Sequence, residues 1–394
     1  MRDHLRKVQR GPGLRAALVA TAVLVVLATC TPEGSWDLIA AAVAGTSEGS
    51  IEITFDTSDL RGFLFDVPVP IRLTPQRIDY ATAGAAGASI ALYDGVYSEG
   101  RPALDHEIAS WNPDGESIVW VRLPFVAGGS PVAIRLYAGG DAGSVEANPE
   151  GVWRNGYVAV LHFDDQDDPW KDSTGFANHG LITNGKTAPA VVPGRAGTGI
   201  SADLDTDAVS IQNSVSTDTM APFTWELWLN IPPGIGWHRL FSKGERFLSV
   251  RDLGAQHSYQ SRINHVSDPP APDPNWDDVF GAWNSPVRAD EWFHVALVWT
   301  GDAVASAIDL RVNGRSATRF NSGPDPAYED GTAIADSTHP LTIANRDVFA
   351  TANALPGIVD EVFISMVPRS TEWLGFQIGA MNESIVSYDP FVPR

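Results

Sequence analysis

YVAVLHFDDQDDPWKDSTGFANHG, residues 157–180, is the stretch that divides this chain. Tyr157 to Leu161 reads as an apolar strand. The run then turns acidic through Asp164, Asp165, Asp167 and Asp168, and closes on Asp172-Ser173-Thr174-Gly175 and Asn178-His179-Gly180. A strand followed by a long polar loop rich in turn residues opens a new β module. The sequence on either side carries enough short strands for a β-sandwich of its own.

Downstream, Phe223-Thr224-Trp225-Glu226-Leu227-Trp228-Leu229-Asn230 fixes a strand by its period of two. Phe223, Trp225, Leu227 and Leu229 share one face, and Thr224, Glu226, Trp228 and Asn230 share the other. Further short strands read at 199–204, 208–211, 238–243, 247–251, 260–265, 291–299, 341–344 and 357–364. Asn313-Gly314 between Ile308–Val312 and Arg315–Thr318 predicts a tight hairpin, because both turn positions need positive φ. Ser370 predicts the cap of a short closing helix through Trp373 and Phe376.

Upstream, Ile51, Ile53 and Phe55 alternate with Glu52, Thr54 and Asp56. Strands follow at 67–73, 89–93, 107–111, 117–123 and 131–137. Pro68 and Pro70 belong on an edge strand or at a strand start, since proline cannot donate to a ladder. Asp105, His106 and Glu107 are the titratable cluster of this half. Successive strand residues point to opposite faces, which argues against a shared acid–base site. Trp111 and Trp120 read as core residues rather than a sugar platform.

With 44% hydrophobic and 19% charged residues the chain is globular, and 394 residues suffice for two cores. Its N-terminus carries Arg2, Arg6, Lys7, Arg10 and Arg15, then an apolar run from Ala16 to Ala28, the pattern of an export signal. Leu27-Ala28-Thr29-Cys30 is similar to a bacterial lipobox, which implies lipid attachment at Cys30. The other reading is an ordinary cleaved signal with a chance cysteine. Cys30 is the only cysteine, so no internal disulfide forms. Cleavage after residue 29 takes a net +4 from −21 and leaves −25, a surface that repels nucleic acid and anionic lipid. The expected organisation is a signal peptide over 1–29, a lipid-anchored tether over 30–49, a β-sandwich over 50–155, a jelly roll over 156–380 and a C-terminal tail over 381–394.

Two resemblances bear on function. Ile78-Asp79-Tyr80, Leu104 to Ile108, Trp111-Asn112, Val119-Trp120-Val121, Arg135-Leu136-Tyr137 and Asn148-Pro149 with Val152-Trp153 resemble a bacterial domain of unknown function that precedes laminin-G-like domains in exported proteins. It implies no activity. Leu161-His162-Phe163-Asp164, the Asp172 to Gly180 motif, Phe223-Thr224 with Trp228, Trp292 to Ala296, Val312-Asn313-Gly314 and Ile358 to Val362 resemble the laminin-G-like branch of the concanavalin A-like lectin/glucanase jelly rolls. The resemblance implies an all-β fold of two β-sandwich domains, the second a jelly roll, and makes Trp292 and His294 framework residues.

The implied function is non-catalytic binding of a glycan or an extracellular protein at the cell envelope, both domains lying outside the cytoplasm. The alternatives are a glycoside hydrolase and a structural surface protein. No strand carries the acid-x-acid pattern that places two carboxylates on one face for glycoside hydrolysis. The candidate ligand-binding residues are Glu226, Trp228 and Asn230 on one sheet face and Trp276 on the Pro/Asp-rich loop 268–278; the other reading of Trp276 is a residue that only pins its loop. Calcium is the candidate cofactor, because loops of this superfamily hold it. Asp164, Asp172 and Asn178, with distant Asp360, are its candidate ligands. The competing reading is a solvated turn in which Asp172 caps backbone N–H groups.

Overall fold

The computed structural model describes residues 26–30, 36–40, 48–96, 98, 100–140, 143, 145–164, 170–182, 188–202, 209–218, 220–244, 246–264, 278–302, 304–322, 338–346 and 354–393. They fall into two compact units divided after Ser47. In the first, Val26–Cys30 pairs antiparallel with Trp36–Ala40, so the expected tether contributes a strand and Cys30 stands opposite Trp36. Among the described residues no helix is long and apolar enough to cross a membrane.

The second unit is all-β and holds both modules. In the jelly roll one sheet runs in the order Ala190–Pro193, Thr198–Ala202, Gly357–Ser365, Phe223–Asn230, Phe293–Trp299, Ile308–Val312, Arg315–Ser316. Tyr157–Leu161 also pairs with Gly357–Ser365. The facing sheet runs Gly180–Ile182, Val209–Ile211, Leu341–Ile343, His238–Lys243, Arg246–Asp252, His257–Asn264, Asp278–Ser285, Thr318–Ser322. Phe223, Trp225, Leu227 and Leu229 point into the core between these sheets with Phe241, Leu248, Tyr259 and Trp283. The expected parity of this strand therefore holds. Asn313 and Gly314 make the hairpin with φ of 51° and 75°. Ser370 caps the helix Thr371–Met381 by accepting from the Trp373 N–H at 3.1 Å.

The first module pairs Gly49–Phe55, Val132–Ala138 and Ile90–Asp94 in one sheet, and Phe63–Leu73, Ser117–Ala127 and His106–Ser110 in another. Phe63–Leu73, with Pro68 and Pro70, is an edge strand, as proline requires. The sequence is corrected at its end. The residues expected as a tail return to this module, where Val386–Tyr388 and Val392–Pro393 both pair with Gly49–Phe55. Gly49 lacks a side chain because the Phe391 ring occupies the place of its Cβ.

The modules share one core. Val67, Trp120 and Trp153 of the first pack with Tyr157, Val160, Trp228, Ala296, Val298 and Phe363 on the outer face of the jelly roll's first sheet. Trp373, Leu374 and Phe376 of the closing helix join them. Gln377 ties the seam by donating to the Pro68 carbonyl at 2.9 Å and to the Tyr157 hydroxyl at 3.2 Å. The strand Phe293–Trp299 is buried at every position, because it is covered on both faces.

Candidate functional site

The acidic loop does its work inward. Asp172 accepts the N–H groups of Val160, Thr174 and Asn178 at 2.9, 2.9 and 2.8 Å and the Thr174 hydroxyl at 2.7 Å. Asn178 donates to the Val158 carbonyl at 2.6 Å and accepts from Ser214 at 2.9 Å. Burial raises the Asp172 pKa against the pull of those donors. Both side chains staple the loop to its own first strand, which is the capping reading.

Asp164 and Asp360 bind a second loop. Asp360 takes the N–H groups of Arg195 and Ala196 at 2.6 and 2.9 Å on one oxygen and that of Glu361 at 2.8 Å on the other. Asp164 takes the Thr198 N–H at 2.7 Å. Gly194 and Gly197 are required in this turn, because a Cβ at either would meet a carboxylate oxygen, 2.5 Å from Asp360 and 2.2 Å from Asp164. Burial raises Asp164 to about 7, and burial followed by the adjacent Glu361 raises Asp360 well above the carboxylate range.

Calcium does not fit the four expected ligands. Asp172, Asn178 and Asp360 spend their oxygens on protein donors. The buried carboxylate oxygens of this region without a partner among the described residues are Asp164 Oδ2 and Glu361 Oε1. Two oxygens fall short of the six to eight that calcium takes. Among the described residues no three His, Cys, Asp or Glu side chains are placed to share a metal. Asp165, Asp167 and Asp168 lie outside the described residues.

Where the modules meet, His162 is held between carboxylates from each. Its Nδ1 lies 2.6 Å from Glu361 Oε2 and its Nε2 lies 3.3 Å from Glu107 Oε2. Glu107 also accepts from Trp153 Nε1 and Ser173 Oγ. Burial lowers the His162 pKa, but Glu361 and Glu107 outweigh it and hold the imidazolium well above the ordinary value. Burial likewise opposes the Glu107 charge, and His162, Ser173 and Trp153 overcome it, leaving that pKa below the usual one. A cleft of about 380 Å³ opens beside the triad, lined by Glu107, Glu150, His162, Asp164, Lys171 and Asp172 among others.

The sequence passed over Glu107 as part of a polar strand entry. Asp105 pairs with Arg122, while Glu107 reaches the seam. Its partner His162 is 55 positions away, and no local pattern announces it.

The expected ligand-binding face is corrected. Trp228 is 3% exposed and Glu226 1%, because that face of the jelly roll is sealed by the first module. Arg195 stacks over the Trp228 ring at 4.9 Å, and His294 Nε2 lies 3.3 Å from Glu226 Oε2. Asn230, at the strand's end, is half-buried. Trp276 lies outside the described residues. A signal was present: FHVALVW, residues 293–299, has no polar alternation, the pattern of a strand covered on both faces.

The outward face belongs to the other sheet. Leu248, Val250, Tyr259, Ile263 and Trp283 point to the core, so Phe247, Ser249, Arg251, Ser258, Gln260, Arg262, Phe280, Ala282 and Asn284 point away from it. Register aligns Arg251, Ser258 and Asn284 in one cross-strand row. Arg251 stacks over the half-buried Trp237 ring at 4.6 Å, and Arg239 over Phe247 at 3.4 Å.

Residues 203–374 match the family model Laminin_G_3, described as the concanavalin A-like lectin/glucanases superfamily. No curated protein matches the chain. Among solved structures, the binding domain of Paraclostridial Mosquitocidal Protein 1 aligns at 14% identity and TM-score 0.40, covering 58% of this chain and 53% of that one. Domain 4 of AbnA, a GH43 arabinanase of Geobacillus stearothermophilus solved with arabinotriose, aligns at 14% and 0.39 over 56% and 98%. A Trypanosoma rangeli sialidase aligns at 12% and 0.42 over 72% and 43%. The chain thus spans about half the length of the first of these. Likenesses at this level say nothing of a ligand.

Proposed function

We propose that this chain is a non-catalytic binding protein of the cell surface that takes a glycan or protein ligand on the outward face of its jelly roll. One observation carries the reading: one face of the jelly roll is built into the inter-module core, and the face of the opposite sheet turned from the core carries half-buried Trp237, Arg251, Gln260 and Asn284. Polar side chains held on a rigid sheet beside an aromatic ring form a recognition surface at low ordering cost. The basic, apolar N-terminus and Cys30 support export with lipid attachment. A Cys30→Ala protein is then expected to leave the membrane fraction. A glycan array with the intact chain and an Arg251→Ala variant tests the binding surface. Retention that depends on Arg251 is expected, and retention unaffected by it contradicts the assignment.

A second reading, glycoside hydrolysis from the junction cleft, has Asp164 in its favour, since a carboxyl with pKa near 7 suits proton transfer. It also needs a second carboxylate, and Glu107 is occupied by three donors. Release of reducing ends from a bound polysaccharide, lost in Asp164→Asn, would establish it over binding alone.

A further inference from the structure

Phe63 and Phe65 of one strand and Phe125 of its neighbour turn their rings to solvent. They are 65%, 60% and 49% exposed, while adjacent Leu64 and Val126 point into the core. Register explains the grouping. Phe65 stands opposite Phe125 and Phe63 opposite Ala127, so the three rings share the outer face of the Phe63–Leu73 and Ser117–Ala127 pair. The rings touch, Phe125 lying 5.6 Å from Phe63 and 5.3 Å from Phe65 between centroids. The other exposed phenylalanines among the described residues lie elsewhere, Phe176 in the loop after Asp172 and Phe320 in Thr318–Ser322. A contiguous aromatic patch left in water marks a contact surface.

Size and chemistry choose the occupant. At about 200 Å² for each side chain the three rings expose roughly 350 Å². A stable dimer takes about 800 Å² from each copy, so this patch does not hold a second copy. A peptide strand cannot add beside Phe65, whose carbonyl already accepts from Asn155 Nδ2 at 2.9 Å, and Pro68 and Pro70 follow on the same edge. A sugar needs polar groups beside the ring, and those at hand are engaged: Asp66 with Arg122 and Arg154, Asn155 with the Phe65 carbonyl. A lipid surface needs neither a complementary shape nor polar partners, only apolar side chains that reach the headgroup boundary. Charge then selects among lipids. Arg122 and Arg154 are balanced by Asp66 and Asp105, so no basic excess draws anionic headgroups, and the chain at −21 repels them.

We propose that Phe63, Phe65 and Phe125 form a docking face for a zwitterionic lipid bilayer, their rings entering the headgroup boundary. Contact through three side chains is reversible, as that of a single acyl chain is. It orients the protein on the bilayer and does not replace an anchor. The face is separate from the outward sheet of the jelly roll, and docking there does not depend on what that sheet binds.

Hydroxyl-radical footprinting of the full chain, with and without phosphatidylcholine vesicles, reads the patch residue by residue. Vesicles should slow oxidation of Phe63, Phe65 and Phe125 by about 5-fold or more relative to Phe176 and Phe320, as burial at the headgroup boundary requires. In a Phe65→Ser/Phe125→Ser variant that melts as the parent does, Phe63 should lose that protection. Equal protection of all five phenylalanines, or of none, overturns the proposal, as does protection of Phe63 that survives in the variant. Protection that appears without vesicles as protein concentration rises assigns the face to a second copy and overturns it too. Protection that requires phosphatidylglycerol contradicts a zwitterionic surface.

Discussion

Replacing Glu107 with glutamine removes one charge from the seam and leaves its shape intact. Glu107 accepts from His162, Trp153 and Ser173. A glutamine carbonyl can serve one or two of these, while its amide hydrogens face a donor. Hydrogen bonds to a charged group contribute about 1.5–3 kcal/mol each, and breaking a buried pair costs about 3–5 kcal/mol. Because His162 keeps Glu361, the lower end applies, about 3 kcal/mol. For a cooperative unit of roughly 350 residues, an unfolding entropy of about 2 cal/mol/K per residue turns this into a fall of about 4 °C.

The pH window follows from the two shifts. His162 has a raised folded pKa, so its contribution is complete below the unfolded value of about 6.5 and is lost as pH climbs through the folded value. Glu107 has a depressed folded pKa, so its contribution is complete above the unfolded value of about 4.5 and is lost as pH falls through the folded one. The Glu107→Gln penalty should therefore be largest between about pH 4.5 and 6.5 and shrink in alkali. Calorimetry of parent and variant across pH 4–10 measures it. A variant that melts within 1 °C of the parent at pH 5.5, or that loses stability in only one of two separate transitions, would refute a seam shared by both modules.

Three further outcomes are expected. Asp164→Asn should gain stability over the parent at pH 8 by up to about 4 kcal/mol and match it near pH 4. Its folded pKa of about 7 lies some three units above the unfolded value, so the parent loses stability as pH rises between them; melting curves at the two pH values check this, and a variant weaker than the parent at pH 8 contradicts it. Asp172→Ala leaves three backbone N–H groups and one hydroxyl without their acceptor, at a cost of about 3 kcal/mol or more in urea denaturation. Millimolar calcium or a chelator should move the melting midpoint by less than 1 °C, because the expected ligands already serve protein donors; a calcium-dependent rise of several degrees would restore a metal site.

Much of the fold is legible locally. The parity of Phe223 to Asn230, the Asn313-Gly314 turn, the Ser370 cap and the edge position of Pro68 and Pro70 each follow from a rule acting over a few residues. What is not legible is what packs on what. Parity puts Trp225 and Trp228 on opposite faces, yet nothing local says that the Trp228 face is covered by the first module. Val386–Tyr388 is too short to declare a partner, and its place beside Gly49–Phe55 is set by the fold of the whole unit. The acidic loop reads two ways because oxygen-rich turns bind metals and backbone N–H groups with the same atoms. The outward row escaped notice because Arg251, Ser258 and Asn284 are aligned only by strand register.

The claim on which the rest depends is that one face of the jelly roll is sealed and the opposite sheet faces outward. Hydroxyl-radical footprinting of the intact chain, read by mass spectrometry at individual tryptophans, tests it without any ligand. Trp120, Trp153 and Trp228, at 1%, 1% and 3% exposure, should resist oxidation, while half-buried Trp237 reacts. Oxidation of Trp228 as fast as that of Trp237 would contradict the account.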